Sequence, residues 1–273
     1  MTVTAPDASP DHLNQLMRDA IVGAPLVGTS DPRVLGAIRV VPRHAFLPGA
    51  SLADAYNPEL AVITKRDTGG KALSCASVPC LAGAMLEQLD VGDGHRVFEA
   101  GAGTGWNAAL LAALAGPGGH VTTIDIDPEV SAQAAASLER AGFTRVHVAT
   151  GDAGLGMPDN APYDRAIITI GSLDIPPAWF GQLMPGGRLV VPLRWRGQTQ
   201  SVALVLGEDG LLRSDTLFMC GFVPMVGQGW ERSAALDSGD LVRLYFRSEP
   251  EEAGLPEPRR EVLQGGRLPC GRN

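Results

Sequence analysis

The chain has 273 residues, 45% hydrophobic and 19% charged, with a formal net charge of −8. That length and composition suit a soluble globular protein able to bury a large core. The acidic balance, without a Lys/Arg cluster, argues against a nucleic-acid or anionic-membrane surface. Cys75, Cys80, Cys220 and Cys270 form no CxxC pair and none adjoins a histidine, which argues against a metal site and for a reducing compartment. No apolar run approaches the ~20 residues of a membrane span, and the first thirty residues lack a signal-type apolar core. A cytoplasmic monomer is expected.

In chain order, DHLNQLMRDAIV from Asp11 places Leu13, Leu16, Met17, Ala20 and Ile21 on one helical face. Asp31 caps a second helix that begins at Pro32 and turns Val34, Leu35 and Ile38 inward; Pro42 ends it, and VPRHAFLPG continues as a loop. Residues 56–73 contain one short strand, Leu60 to Ile63, and a helix runs from about Pro79 to Leu89. An alternating section follows. It comprises strands at 96–100, 120–125, 145–150, 165–170 and 188–193, and helices at about 106–115, 128–141 and 178–184, the last stopped by Pro185-Gly186-Gly187. Alternation at this spacing means right-handed βαβ units and a parallel sheet. From Gln200 the pattern becomes strands joined by tight turns such as GEDG, read as antiparallel strands at the sheet edge. The expected organisation is an N-terminal helical cap with substrate-side segment (1–75), a main domain (76–247) and a loosely ordered tail (248–273) poor in apolar residues.

The most informative stretch is RVFEAGAGTGWNAAL at 96–110: strand, glycine turn, helix. That is the layout of a nucleotide-type site at the carboxyl edge of a parallel sheet. A dinucleotide fingerprint requires glycine at the sixth position counted from Gly101, where this chain has Trp106. Glu99 instead stands two residues before the first glycine, where a carboxylate repels a pyrophosphate and suits an ammonium or sulfonium ligand. Asp125, ending the next strand twenty residues after Gly105, is placed to accept ribose hydroxyls, and Asp152, after the third strand, to accept an adenine amine. Acids at three successive strand ends describe S-adenosyl-L-methionine better than NAD. Trp106 either stacks near the cofactor or closes the core beneath its helix, packing being the safer reading. Trp230, beside Gly227 and Gly229, is the best candidate for an exposed aromatic that grips a peptide.

Residues of about 11–200 resemble the protein-L-isoaspartate O-methyltransferases. The resemblance is carried by VPRHAFLPG at 41–49, SCASVP at 74–79, VFEAGAGTGWNAALLA at 97–112 and VTTIDIDPE at 121–129, and continues through GDAGLG at 151–156, APYDRAIIT at 161–169 and LMPGGRLVVPL at 183–193. It implies a Rossmann-like methyltransferase fold. It further implies S-adenosyl-L-methionine contacts from Glu99, Gly101, Ala102, Gly103, Gly105, Asp125, Ile126, Asp152 and Ala153. Ser77 is then the active-site hydroxyl, with Ser74, Val78 and Pro79 on the substrate side. The family's segment before that proline reads roughly Gln-Thr-Ile-Ser-Gln-Pro, against Ser74-Cys75-Ala76-Ser77-Val78-Pro79 here: serine and proline survive and the polar neighbours do not. The region 194–226 looks more like bacterial relatives that methylate aspartate in ribosomally made peptides (lanthipeptides, lasso peptides or graspetides), where the ester collapses to an aspartimide.

The reaction so implied is methyl esterification of an aspartyl or isoaspartyl carboxylate in a peptide or protein. Such a group, with a pKa of about 4, is already ionised at neutral pH and needs no general base. No histidine adjoins Ser77 in sequence and there is no G-x-S-x-G elbow, which argues against a Ser-His-Asp hydrolase; the histidines read as surface or structural. Gly171-Ser172 is either a wall of the acceptor site or a plain loop, the loop being favoured. The alternatives are general isoaspartyl repair, a cofactor-binding module without catalysis, and an NAD-dependent oxidoreductase.

Overall fold

A computed structural model describes residues 9–195 and 198–225, together with the backbone of two further strands, Glu231–Ala235 and Arg243–Arg247. The helices of the N-terminal part are α1 (Pro10–Val22), α2 (Pro32–Val40) and the single turn α3 (Leu52–Ala55). A hairpin of β1 (Val62–Arg66) and β2 (Ala72–Ala76) leads into α4 (Pro79–Leu89). Then come β3 (Arg96–Ala100), α5 (Trp106–Ala115), β4 (His120–Asp125), α6 (Pro128–Arg140), β5 (Val146–Thr150), β6 (Tyr163–Ile168), α7 (Pro177–Gly181), β7 (Leu183–Trp195), β8 (Gln198–Leu206) and β9 (Leu212–Met219).

The seven-stranded sheet runs β5-β4-β3-β6-β7-β8-β9. Strands β5 through β7 are parallel, and β8 and β9 join antiparallel, as expected from sequence. Helices α1, α2, α4 and α5 share one hydrophobic cluster with Val97, Val121, Ile167 and Val190 of the sheet. Phe98, Ala166, Ile168 and Leu189 point the other way, into a cluster with Trp179 and Tyr163. This period-2 alternation, apolar on both faces, marks a buried parallel sheet. Helix α5 is apolar nearly all round and is accordingly buried. The first cluster is continuous from Met17 to Ala203, so cap and sheet share one core, and β2 runs across the expected boundary at 75–76.

The capping readings hold. The Asp31 carboxylate accepts from Arg33 N at 2.7 Å, and the Asp127 carboxylate accepts from Glu129 N at 2.9 Å and Val130 N at 3.3 Å.

Other boundaries move. The strand expected at Leu60–Ile63 lies at Val62–Arg66, because its register is set by pairing with β2, whose sequence carries no alternation of its own. The loop from Val41 contains a 3-10 turn, Arg43–Phe46. Ala20 is exposed, whereas Asn14 is buried and donates to Ile38 O at 3.1 Å. Helix α7 ends at Gly181 rather than 184. Strand β7 begins at Leu183 and carries Pro185-Gly186-Gly187 as an irregularity, since Tyr163 pairs with Leu183 and Arg165 with Arg188. The strand read at 165–170 occupies 163–168, which frees Thr169 and Ile170 to follow its carboxyl end. Trp230, Cys270 and the tail 248–273 lie outside the described residues.

Strands β3 and β6 are neighbours, but the chain leaves them in opposite directions, β3 towards β4 and β6 towards β7. A crevice is left beyond their carboxyl ends, the usual ligand position in such sheets.

Candidate active site

The crevice is floored by the turn after β3. Gly101 and Gly103 adopt φ of +99° and +53°. A Cβ on Gly101 would lie 2.5 Å from Thr169 Oγ1, and that hydroxyl is itself fixed, donating to Ala100 O and Gly101 O at 3.0 and 2.8 Å. The turn is therefore glycine by necessity, and its bare backbone faces the crevice. Gly105 has a different reason. At φ +85°, its Cβ would meet Ala134 O at 3.1 Å and Leu138 Cγ at 3.2 Å, so it lets α5 pack on α6 and does not line the crevice. As N-cap of α5 it supplies no side chain; Thr104 Oγ1 instead accepts from Trp106 N at 3.4 Å, one of the orphan amides of that helix start.

Asp125 lines the crevice from the end of β4. Its Oδ2 accepts from Gly103 N at 3.2 Å and its Oδ1 from Asp127 N at 3.1 Å; burial raises its pKa. Ile126, Ala102 and Ala153 line the same space. Opposite stands the end of the β1–β2 hairpin, with Ser74 and Ser77 facing the crevice and Lys71 at its exposed rim. The third wall is Phe222-Val223-Pro224, brought back after β9 by Gly171 N donating to Val223 O at 2.7 Å and Met225 N donating to Gly171 O at 2.8 Å.

Five expected site residues are not in the lining. Glu99 lies inside β3 rather than at the mouth of the turn, with no exposed surface. Its Oε1 accepts from Asn107 Nδ2 at 2.7 Å, Oε2 has no partner, and burial pushes its pKa up to about 7. Glu99 shares a face with residues turned towards α5 because side chains alternate along a strand. Asp152 caps a 3-10 turn (Ala153–Leu155), its Oδ1 accepting from Gly154 N at 2.8 Å, and Ala153 lines the crevice at that point. Gly105 packs as described, while Val78 and Pro79 start α4 behind Ser77. Ser172 is buried and donates to Asp174 O at 2.6 Å, outside the crevice. Trp106 both lines the crevice and is 3% exposed, its Nε1 donating to Val41 O at 3.4 Å.

Sequence reasoning missed Thr169, Ile170 and the Phe222–Pro224 wall. The first pair was hidden by a two-residue error in the end of β6, and the wall has no local signature. It also left Arg43, inside the quoted VPRHAFLPG, without a role.

The residues present fit S-adenosylmethionine. A glycine cradle that any Cβ at 101 would fill, a buried carboxylate oxygen without a partner, and a strand-end aspartate make a site for a ligand with cationic and hydroxyl groups. Fold and crevice together define an α/β methyltransferase. The family model for protein-L-isoaspartate(D-aspartate) O-methyltransferase matches residues 24–229. The protein-L-isoaspartate O-methyltransferase of Methanopyrus kandleri is 37% identical over 197 residues, covering 72% of this chain and 84% of the relative. Protein-L-isoaspartate O-methyltransferase 1 of Rhodopseudomonas palustris is 38% identical over 208 residues, covering 74% and 80%. A solved protein-L-isoaspartate O-methyltransferase superposes with a TM-score of 0.70 at 26% identity, over 80% of this chain and 66% of that one. A putative Plasmodium falciparum member, in complex with S-adenosyl-L-homocysteine, shares the fold at 14% identity, with a TM-score of 0.67 over 81% of this chain and 99% of its own. The chain belongs to the protein-L-isoaspartate O-methyltransferase family, whose cofactor is S-adenosylmethionine. Among the described residues, no helix is long and apolar enough to cross a membrane.

Proposed function

We propose that this chain esterifies an aspartyl or isoaspartyl side-chain carboxylate in a ribosomally made peptide, the adjacent backbone amide nitrogen then attacking the ester carbonyl and expelling methanol to close an aspartimide. When bound, S-adenosylmethionine supplies an electrophilic methyl group carried on a sulfonium. Gly101, Ala102 and Gly103 present the cofactor-side backbone. Asp125 offers its carboxylate to hydroxyl groups, Glu99 supplies negative charge from beneath the turn, and Asp152 takes the adenine side. Ser77, facing the crevice from the opposite wall, donates its hydroxyl proton in a hydrogen bond that aims the acceptor carboxylate. The acceptor arrives ionised, so no residue must act as base. Positioning and exclusion of water by apolar walls carry catalysis, worth about 7–11 kcal/mol in well-oriented systems.

The observation that carries the peptide-tailoring setting is the acceptor wall. Cys75 and Val78 stand beside Ser77 where the family pattern has threonine and glutamine; Cys75 and Ala76 line the crevice next to Ser77, and Phe222-Val223-Pro224 closes it. A wall of this kind suits a defined partner sequence better than isoaspartyl sites in any unfolded protein.

The test compares purified enzyme on generic isoaspartyl peptides and on any short precursor peptide found encoded in its genomic neighbourhood. Methylation of the precursor, with ring closure seen by mass, is expected; preferential turnover of generic isoaspartyl peptides decides for repair. Ser77→Ala should lower kcat/KM by about 10–100-fold while leaving S-adenosylhomocysteine affinity unchanged, as loss of one charge-assisted hydrogen bond requires. A cofactor-binding module instead gives no turnover with either enzyme.

A further inference from the structure

Arg43 has no exposed surface. It sits in the 3-10 turn after α2, directly behind the acceptor wall, and its Nη2 donates to Ser77 O at 2.8 Å and to Ala76 O at 3.4 Å. Its guanidinium carbon lies 4.3 Å from the ring centroid of Trp106, the first residue of the helix that follows the glycine turn. Nε and Nη1 have no hydrogen-bond partner. Burial lowers its pKa to about 10, so it remains cationic at neutral pH. A cation held in the interior with two nitrogens unsatisfied is poor design for stability, and replacing such a group by an apolar side chain is often neutral or stabilising.

The charge layout of the crevice supplies a reason. Asp125 and Asp127 line the cofactor side; the cation lining it among the described residues is Lys71, at the exposed rim. A carboxylate acceptor entering beside Ser77 therefore meets negative charge ahead of it and needs positive charge behind it. Arg43 is the buried group that supplies it, at one peptide unit's remove, where low dielectric lets a charge act further than in water. Its ring contact also braces the Ser77 peptide against the helix that starts at the glycine turn, which fixes where the acceptor wall stands.

Resting on the carboxylate-acceptor reading above, we infer that Arg43 is a positioning residue: it fixes the Ser77 peptide against Trp106 and biases the acceptor wall towards an anionic carboxylate. It touches no reacting atom and acts through Ser77.

The experiment compares the full-length enzyme with Arg43→Met and Arg43→Lys. For each, S-adenosylhomocysteine affinity is measured by calorimetry, and KM and kcat are measured for a peptide that the wild type methylates. Arg43→Met should bind S-adenosylhomocysteine within about threefold of wild type while kcat/KM for peptide falls about 30-fold, chiefly through KM, as loss of a hydrogen bond from a charged group predicts. Arg43→Lys keeps the charge without the planar fork and should recover a large part of that loss. Wild-type peptide KM in Arg43→Met overturns the inference. So does equal loss of cofactor and peptide binding, which marks a structural role, and so does a lysine variant no better than methionine. If Arg43→Met gives no cooperative melt, Arg43→Lys alone decides: a peptide KM raised severalfold with unchanged cofactor affinity is expected, and a wild-type KM refutes. Absence of transfer by the wild type to any peptide carboxylate is a different failure: it removes the function reading, and this inference with it.

Discussion

Replacing Glu99 by glutamine separates what this buried carboxylate does for folding from what it does for the ligand. Its pKa is raised from 4.5 to about 7 because it is fully buried. A rise of that size corresponds to about 3 kcal/mol of unfavourable free energy when the group is ionised. The sign follows from linkage: a folded-state pKa above the unfolded value means the native state holds a proton that the unfolded chain has released. The stability this gives is complete below pH 4.5 and is lost as pH rises through about 7. Glutamine keeps the acceptor for Asn107 and puts an amide in place of Oε2, opposite the buried Thr123 hydroxyl; burying that amide with incomplete pairing costs about 1 kcal/mol. The cofactor-free Glu99→Gln enzyme should therefore be more stable than wild type by about 2 kcal/mol at pH 8, or about 4–8 °C in Tm, with the gap shrinking by pH 5.5. Ligand affinity should move the other way. S-adenosylhomocysteine carries an ammonium that an ionised Glu99 favours, so wild-type affinity should rise about tenfold from pH 6 to pH 8 and Glu99→Gln should lose that rise. Thermal melts and calorimetry at both pH values read both effects. A Tm gap independent of pH, or equal pH profiles for binding, refutes the reasoning.

Gly101→Ala puts a Cβ at 2.5 Å from a hydroxyl that already makes two hydrogen bonds, on backbone at φ +99°. It should destabilise by about 2–3 kcal/mol and abolish cofactor binding, read by melt and calorimetry. Gly103→Ala meets nothing closer than 3.7 Å, so its expected stability loss is the left-handed backbone alone, about 1 kcal/mol. Asp125→Asn keeps one acceptor for the Gly103 or Asp127 amide and should weaken S-adenosylhomocysteine about 10–100-fold by calorimetry with a Tm change within a few degrees.

The parallel core of this fold was legible because its signals are local. Strands at 96–100 and 120–125 and the Pro-led, Asp-capped α6 are marked by their own residues and flanking turns, although the strands are held by pairing with distant partners. Elements whose limits are set by the partner strand and carry no such local mark were misread. The strand β2 forms because β1 lies beside it, and β7 extends back through Pro185-Gly186-Gly187 because β6 holds it there. The site divides the same way. Gly101, Gly103, Asp125 and Ser77 face one crevice, all within stretches whose residues announce a turn or strand end.

The ligand class can be read along the chain, because an acid two residues before a glycine turn, a tryptophan where a dinucleotide site needs glycine, and an aspartate ending the next strand are covalently ordered features. How those groups act follows from packing. It turned Glu99 under the turn, since strand side chains alternate, and made Gly105 a packing residue, since α6 crosses there. It also set Arg43 behind Ser77, 34 residues away in sequence, because burial in a shared core brings together what chain order separates.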